Sequence, residues 1–244
     1  MSGHSHWHSI KYKKGLADSK KSKAFSKISK EISVAAKEGG SDLNFNPKLK
    51  FAIEKAKSIN LPSEKIEHAI KRGTGEIEEE KLESVLFEAY GPGGVAILIE
   101  GITDNKNRTL GEVKKILTES SGKIVEEGAV KWMFEKKGCI IINVDSQAEN
   151  LKNKEIIELM AIEAGAEDIL WQNNFLNVYI KLGELEEAKK YLEEKGIKIE
   201  SASLDWVAKE KVVLNEKIKN ECQKLFEVLD ENENVQEIYS NLKL

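Results

Sequence analysis

The sequence predicts a multidomain α+β protein with an N-terminal three-helix bundle followed by two ferredoxin-like α+β domains. The apolar period is helical in the first third of the chain and becomes that of strands after the acidic stretch at residues 76–80. Residues 137–204 then give the order β-α-β-β-α-β, which is typical of the split βαβ or ferredoxin-like unit. The segments on either side each supply only half of a sandwich. We therefore expect the third domain to be inserted within the second.

The first domain is predicted over residues 1–78 as a basic helical bundle with a flexible N-terminal tail. Asn46 followed by Pro47 is a helix cap with proline at the first helical position, and Gly39–Gly40 stops the preceding helix. The three helices are expected from Asp18 or Ser19 to about Lys37, from Pro47 to about Lys57, and from Ser63 to the residue before Gly73.

The second domain is predicted over residues 79–136 plus 205–244. Two apolar strands at residues 84–90 and 95–100 flank a glycine-rich loop at residues 91–94, which indicates a hairpin. This loop joins two strands and lacks the spacing of a nucleotide-binding glycine loop, so we expect a tight connection and not a phosphate cradle. The other elements are expected as a helix at 109–120, strands at 130–135 and 206–214, a helix at 218–229 and a strand at 235–239.

The inserted third domain is predicted over residues 137–204. Its strands are expected at 139–144, 168–172, 176–181 and 197–203, and its helices at 155–164 and 185–195.

The composition is that of an ordinary globular protein: of 244 residues, 40% are hydrophobic and 33% are charged. No apolar run approaches the roughly 18 residues of a membrane span, and the N-terminus has no apolar stretch of signal-peptide type. We therefore expect a cytoplasmic protein with no membrane partner. Cys139 and Cys222 lie in different predicted elements without a metal-spaced partner, so buried free thiols are expected, with no cofactor and no metal.

The charge is distributed unevenly along the chain. Residues 1–75 hold 16 basic and 7 acidic residues, a net charge of +9, whereas the rest holds 22 basic and 35 acidic residues, a net charge of −13. Such asymmetry indicates a basic module that binds a polyanion, attached to an acidic body. The acidic body is expected either to contact a protein partner or to limit non-specific binding by repulsion.

The first predicted helix carries a lysine face. At 100° per residue, Lys20, Lys23, Lys27, Lys30 and Lys37 fall within an arc of about 100°, opposite an apolar face. Lysines at this density neutralise phosphates, so we predict a nucleic-acid interface here. The alternative is a face that is merely solvated. The predicted site comprises Trp7, Lys11, Lys13, Lys14, Lys20, Lys21, Lys23, Lys27, Lys30, Lys37, Lys71 and Arg72.

Trp7 lies in a histidine-rich start, His4-Ser5-His6-Trp7-His8. No Cys, Asp or Glu lies near enough in sequence to complete a tetrahedral metal site, although removal of Met1 would create an N-terminal tripeptide of the kind that binds copper or nickel. We favour a tail that contacts a polyanion, with Trp7 either stacked on a base or simply anchoring the tail.

The sequence lacks the usual arrangements of catalytic residues. No histidine follows His68, and there is neither an H-E-x-x-H nor a G-x-S-x-G motif, so we expect no enzyme. An RNA-recognition signature is also missing from the ferredoxin-like units. The polar segment at residues 104–109 is expected to start a helix with a cap at Asn107 or nearby, and a functional contact there is the alternative.

Several motifs together resemble the YebC/PmpR family, which includes the mitochondrial translational activator of cytochrome oxidase. They are G-H-S-x-W and I-K-x-K-K at residues 3–14, A-I-K-R-G-T-G-E at 69–76, E-A-Y-G-P-G-G-V-A at 88–96, T-D-N-K-N-R-T at 103–109, F-E-K-K-G at 134–138, E-A-G-A-E-D at 163–168 and V-Q-E-I-Y-S-N at 235–241. The segment at residues 121–127 departs from the family, which is usually more glycine-rich and less charged there.

The resemblance implies three domains, no catalytic residue and a bacterial-type protein without a mitochondrial presequence. Family members are described as DNA-binding transcriptional regulators and as ribosome-associated factors that assist translation of difficult stretches such as consecutive prolines. We favour a ribosome-associated translation factor that binds ribosomal RNA. A DNA-binding transcriptional regulator is the alternative, and an enzyme with carboxylates between the α+β domains is a distant one. A monomer is favoured over an oligomer.

Overall fold

The structure, a computed structural model, describes residues 18–243. Within that range the chain forms seven α-helices and two four-stranded antiparallel sheets. The helices are α1 (Asp18–Gly39), α2 (Pro47–Ser58), α3 (Ser63–Thr74), α4 (Lys106–Glu119), α5 (Lys154–Glu163), α6 (Leu185–Glu194) and α7 (Glu216–Glu231). The strands are β1 (Glu83–Tyr90), β2 (Ala96–Thr103), β3 (Lys123–Val125), β4 (Phe134–Asn143), β5 (Asp168–Gln172), β6 (Phe175–Ile180), β7 (Ile199–Ala208) and β8 (Val235–Ser240).

The N-terminal bundle forms as the capping residues predict. The Asn46 side chain accepts the backbone N–H of Leu49 at 3.1 Å and so caps α2. Helices α1 and α3 cross closely at Gly73, where a Cβ atom would lie 2.2 Å from the carbonyl oxygen of Ser33. Gly75, with φ +82°, ends α3 two residues later than predicted.

The first sheet has the strand order β3-β1-β2-β8, with α4 and α7 on one face. Alternate residues of the strands point towards these helices, so Phe87, Ile97 and Ile99 share one core with Val113 of α4 and Leu225 of α7. Strand β3 was not predicted, and it lies in the segment that departs from the family.

The second sheet has the strand order β5-β6-β4-β7, formed from two interleaved β-α-β units. This is the ferredoxin-like order that the sequence predicts for residues 137–204. Helices α5 and α6 cover one face, where Ile157 and Leu192 pack against Ile140, Ile142 and other strand residues.

The observed strands β4 and β7 differ from the elements predicted for this part of the chain. The strands expected at 130–135 and 139–144 form one strand, β4, and those expected at 197–203 and 206–214 form the single strand β7. The two pair antiparallel from Phe134 and Ala208 to Ile142 and Ile199. The predicted domain boundaries at 136/137 and 204/205 fall within these strands.

The strands β4 and β7 pack, at the end where Phe134 pairs with Ala208, against the face of the first sheet that α4 and α7 leave uncovered. Phe134 and Ala208 share a core with Leu98 and Tyr239. A half-buried carboxylate joins the two units, because Glu100 accepts hydrogen bonds from Trp206 Nε1 at 2.8 Å and from the Tyr239 hydroxyl at 3.0 Å. The second sheet therefore packs directly against the first through the ends of β4 and β7.

Cys139 and Cys222 are both buried free thiols, as predicted. Burial is the main cause that raises the pKa of Cys222, to about 11. None of the seven helices within residues 18–243 is long and apolar enough to cross a membrane.

Candidate nucleic-acid interface

Three lysines of α1 lie against the C-terminal end of α7. The Nζ atoms of Lys23, Lys27 and Lys30 donate to the backbone carbonyls of Glu231, Asp230 and Glu233 at 3.4, 2.7 and 3.1 Å. Lys27 also forms an ion pair of 2.9 Å with the Asp230 carboxylate, and Lys30 donates to Asn234 Oδ1 at 2.8 Å. The expectation that this face is open to solvent is wrong for Lys27, of which 5% is exposed.

The chemistry of a helix end explains why lysines dock there. The last carbonyls of a helix have no intrahelical partner and carry a partial negative charge, so cations and N–H donors stabilise them. Residues 230–234, Asp-Glu-Asn-Glu-Asn, add three carboxylates at the same place. Spaced three or four residues apart on α1, the lysines reach this end together.

Lys37, one further turn along the lysine face, binds a different segment. Its Nζ donates to the carbonyl of Leu82 at 2.9 Å. Next to it, Val34 of α1 packs with Leu82 and Ile102 in a small buried cluster between the bundle and the first sheet. The lysine face of α1 is therefore part of the junction between the bundle and the first α+β unit.

A polar cavity of about 400 Å³ lies at this junction. Its lining residues are Lys30, Arg72, Glu80, Leu82, Asp104, Arg108, Glu112, Asn232, Glu233 and Asn234. Partial burial is the main cause that lowers the pKa of Lys30, against the opposing charge of Glu233. A hydrogen bond between the Glu80 and Asp104 carboxyl groups raises the pKa of Glu80 and lowers that of Asp104. Both cations and carboxylates therefore line the cavity.

The polar segment at residues 104–109 contributes to this cavity as a helix start. Asn105, and not Asn107, caps α4, since its side chain accepts the backbone N–H of Arg108 at 3.0 Å. Arg108 binds the Asp104 carboxylate. Thr109 is fully buried and donates to the hydroxyl of Thr103 at 2.8 Å. Asp104, Asn105, Arg108 and Thr109 of this segment therefore each have a partner within the protein.

Helix α2 is also docked by ion pairs. Lys55 bridges Glu31 of α1 and Glu237 of β8 at 3.0 and 3.2 Å. On the side of the second sheet, Lys50 pairs with Glu186 at 3.1 Å, and Lys189 pairs with Glu54 at 2.7 Å while lying over the Phe51 ring. Much of the charge asymmetry in the sequence therefore serves contact between the basic bundle and the acidic units.

The other predicted site residues are distributed around the bundle. Trp7, Lys11, Lys13 and Lys14, and the side chain of Lys20, lie outside the described residues. Lys21 and Lys71 are exposed. Arg72 is half-buried and forms an ion pair of 3.0 Å with Glu79. The structure thus brings Lys23, Lys27, Lys30 and Lys37 to one junction and leaves Lys21 and Lys71 on the surface.

Between α1 and α3 runs a groove of about 340 Å³. Lys65, His68 and Arg72 line it with Glu64, and the Lys65 ammonium lies 5.6 Å above the Phe25 ring. Lys65 was not among the predicted site residues. It lies on the same helix as Lys71 and Arg72, and the helical pattern of the sequence could have indicated this. Sequence analysis also missed the acceptors at residues 230–234, which the acidic run after α7 could have indicated.

Two family models match almost the whole chain. Residues 5–76 match the model described as the TACO1/YebC protein N-terminal domain, and residues 82–242 match the TACO1/YebC second and third domain. The chain belongs to the TACO1/YebC family. The short segment between the two matches, residues 77–81, carries Glu79 and Glu80 of the junction.

Relatives in the family cover the full length of the chain. A probable transcriptional regulatory protein of Halothermothrix orenii is 44% identical over 245 residues, which is 100% of this chain and 96% of the relative. One of Persephonella marina is 45% identical over 246 residues, with the same coverage of both chains. The crystal structure of a conserved hypothetical protein from Aquifex aeolicus superposes with a TM-score of 0.86 at 40% identity, covering 95% of this chain and 93% of that one. The α+β fold of this TACO1/YebC protein is therefore shared with a solved structure.

Proposed function

We propose that this TACO1/YebC protein is a nucleic-acid-binding regulator of gene expression that acts as a ribosome-associated translation factor. One observation carries the proposal. Residues 11–30 hold eight lysines and one acidic residue, Asp18. The end of α7 accepts from three of these lysines, Lys23, Lys27 and Lys30, and Lys21 is exposed beside them. The remaining lysines of this segment, Lys11, Lys13, Lys14 and Lys20, add four further positive charges in the sequence.

Lysines of this kind neutralise phosphates and release counterions, so the affinity depends on salt more than on sequence. Lys21 is exposed on α1, and Lys65 and Arg72 line the groove between α1 and α3 together with Glu64, so these cations all lie on the bundle. The acidic α+β units do not share this charge, so we expect nucleic acid to contact the bundle end of the molecule.

Ribosome association is the finer part of the proposal. It is supported by the resemblance to family members that assist translation of difficult stretches such as consecutive prolines. The alternative is a DNA-binding transcriptional regulator, and the names of the relatives as probable transcriptional regulatory proteins favour it. Phosphate contacts alone do not distinguish RNA from DNA.

The deciding experiment is crosslinking of the protein to nucleic acid in living cells, followed by sequencing of both RNA and DNA. Clustered ribosomal RNA reads, together with co-sedimentation with ribosomes at moderate salt, are the expected result. Sharp peaks at a few promoters without ribosomal enrichment would instead establish the transcriptional regulator. Recovery of neither nucleic acid above the level of an untagged strain would refute the proposal as a whole.

A further inference from the structure

An exposed tryptophan projects from the turn that precedes β4. Trp132 is 65% exposed, within a short 3₁₀ turn at Lys131–Met133. Its indole Nε1–H donates to the carbonyl of Ala129 at 3.0 Å, and this bond fixes the orientation of the ring. The neighbouring apolar residues point the other way, since Val130 is buried and Met133 packs between the sheets. The turn therefore presents a single oriented aromatic ring to solvent.

A buried carboxylate holds this turn in place. Glu88 of β1 is 3% exposed, and its two carboxylate oxygens accept the backbone N–H groups of Gly128, Val130 and Lys131 at 2.6, 2.7 and 2.8 Å. Burial opposes the ionised form of Glu88, yet the three hydrogen bonds outweigh it and lower the pKa of this group. An ionised group in a core is costly unless it is fully hydrogen-bonded. Here its bonds serve to fix the turn that carries Trp132.

Lys209 lies beside the turn that carries Trp132, and two further lysines lie over the ring of Trp206. Lys209 Nζ donates to the carbonyl of Trp132 at 2.9 Å. The ammonium groups of Lys131 and Lys136 lie 5.6 and 5.3 Å from the ring of Trp206, on the neighbouring strand β7. Glu126 and Glu127 are exposed earlier in the same loop.

We propose that Trp132 is a stacking platform for an unpaired base of single-stranded nucleic acid, with Lys131 and Lys209 placed to contact the adjoining phosphates. Fixed aromatic rings beside cations are the usual means of binding single strands, because every base has a face that can stack. A single exposed ring, with Lys131 next to it in sequence and Lys209 bonded to its backbone carbonyl, fits a base better than a protein partner, which would need a wider apolar patch. The inference rests on the proposed function and adds to it a second contact surface, separate from α1.

The test compares variants in their binding to an unstructured RNA oligonucleotide of about 12 nucleotides and to the same sequence as a duplex. Trp132→Ala should weaken binding of the single strand by roughly 5- to 100-fold and leave duplex binding unchanged. Trp132→Phe keeps an aromatic ring and should lose less affinity for the single strand. Leu159→Ala is the control, because Leu159 is also a large exposed apolar residue, 61% exposed, on α5 outside both the bundle and the proposed platform. Circular dichroism checks that each variant is folded.

Three results would overturn the platform. If the wild type binds the single strand and Trp132→Ala binds it equally well, the platform is wrong and the proposed function stands. If Trp132→Ala loses the same affinity for the single strand and for the duplex, the residue contacts the nucleic-acid backbone, and stacking on a base is also overturned. A wild-type protein that binds neither probe at low salt would refute the proposed function and the platform with it.

Discussion

The ammonium group of Lys27 lies 2.9 Å from the carboxylate of Asp230 and 2.7 Å from the backbone carbonyl of the same residue. These two residues are 203 positions apart in sequence. A lysine row that has the spacing of a phosphate-binding surface thus also satisfies the end of a distant helix. Loss of these lysines would therefore change how the bundle is docked as well as any contact with nucleic acid.

The first prediction concerns this pair. Lys27→Met keeps most of the side-chain volume but leaves the partly buried Asp230 carboxylate and its carbonyl without this donor. We expect a loss of roughly 1–3 kcal/mol in the free energy of unfolding, measured by urea denaturation. Lys57→Met, at an exposed lysine on α2, is the control and should change stability by less than about 0.5 kcal/mol. Equal effects of the two variants would show that docking at α7 contributes nothing.

The second prediction compares two glycines in helices. Gly73→Ala places a Cβ atom 2.2 Å from the carbonyl oxygen of Ser33 and 2.8 Å from the Cβ of Ala36, so α1 and α3 must separate. We expect a destabilisation of roughly 1–3 kcal/mol. Gly111→Ala lies in α4 with no neighbouring atom within 4 Å of the added carbon. It should stabilise by about 0.5–1 kcal/mol, because alanine loses less backbone entropy. Thermal unfolding of both variants tests the close crossing, which a neutral Gly73→Ala would contradict.

The third prediction concerns Glu88 and pH. Glu88→Gln removes the charge and one acceptor from three buried hydrogen bonds, so we expect a loss of roughly 2–3 kcal/mol at neutral pH. The folded pKa of Glu88 is lowered from its ordinary value of 4.5. Its stabilisation is therefore present above that value and is lost as pH falls through the lower folded pKa. The difference between wild type and variant should shrink below about pH 4.5. A difference that stays constant down to pH 3 would contradict this role.

The fourth prediction tests the basic segment. Changing Lys11, Lys13, Lys14, Lys20 and Lys21 together to Gln should lower nucleic-acid affinity and reduce the log–log salt slope by roughly 0.7–0.9 per lost phosphate contact. The control changes five exposed lysines of the α+β units to Gln and so matches the change in net charge: Lys114, Lys115, Lys190, Lys195 and Lys198. If both variants reduce the slope equally, binding depends on net charge and not on this segment.

Local chemistry made much of the fold predictable. The cap at Asn46, the proline after it and the switch from a helical to a strand period each act over a few residues, so the bundle and the ferredoxin-like order follow from the sequence. Strand β3 escaped prediction because three residues carry no period of their own. It is defined only by pairing with residues 88–90 of β1.

Gly138 lies within β4, which the sequence pattern predicts as two separate strands. Glycine within a strand pattern commonly marks an interruption, but here it pairs in register with Ile180 and Leu204. A Cβ atom at this position would lie 3.0 Å from the Cβ of Leu185, so glycine is needed for the approach of α6 to the sheet. The sequence pattern does not separate these two causes.

The candidate site was less predictable than the fold. Periodicity identified which residues share the lysine face of α1, and this grouping holds for Lys23, Lys27 and Lys30. Periodicity does not show which residues cover this lysine face, because they lie far away in sequence, at the end of α7. The exposure of Trp132 likewise depends on the carboxylate of Glu88, 44 positions earlier in the sequence.

Strand β8 follows every other strand of the described residues in sequence, which affects how the protein folds during its own synthesis. It completes the first sheet beside β2, and its Val235 and Ile238 belong to the core of that sheet. All strands of the second sheet lie between residues 134 and 208 and emerge earlier. The second sheet can therefore form on the nascent chain while β2 still has an unpaired edge, which β8 covers only after residues 235–240 have left the ribosome.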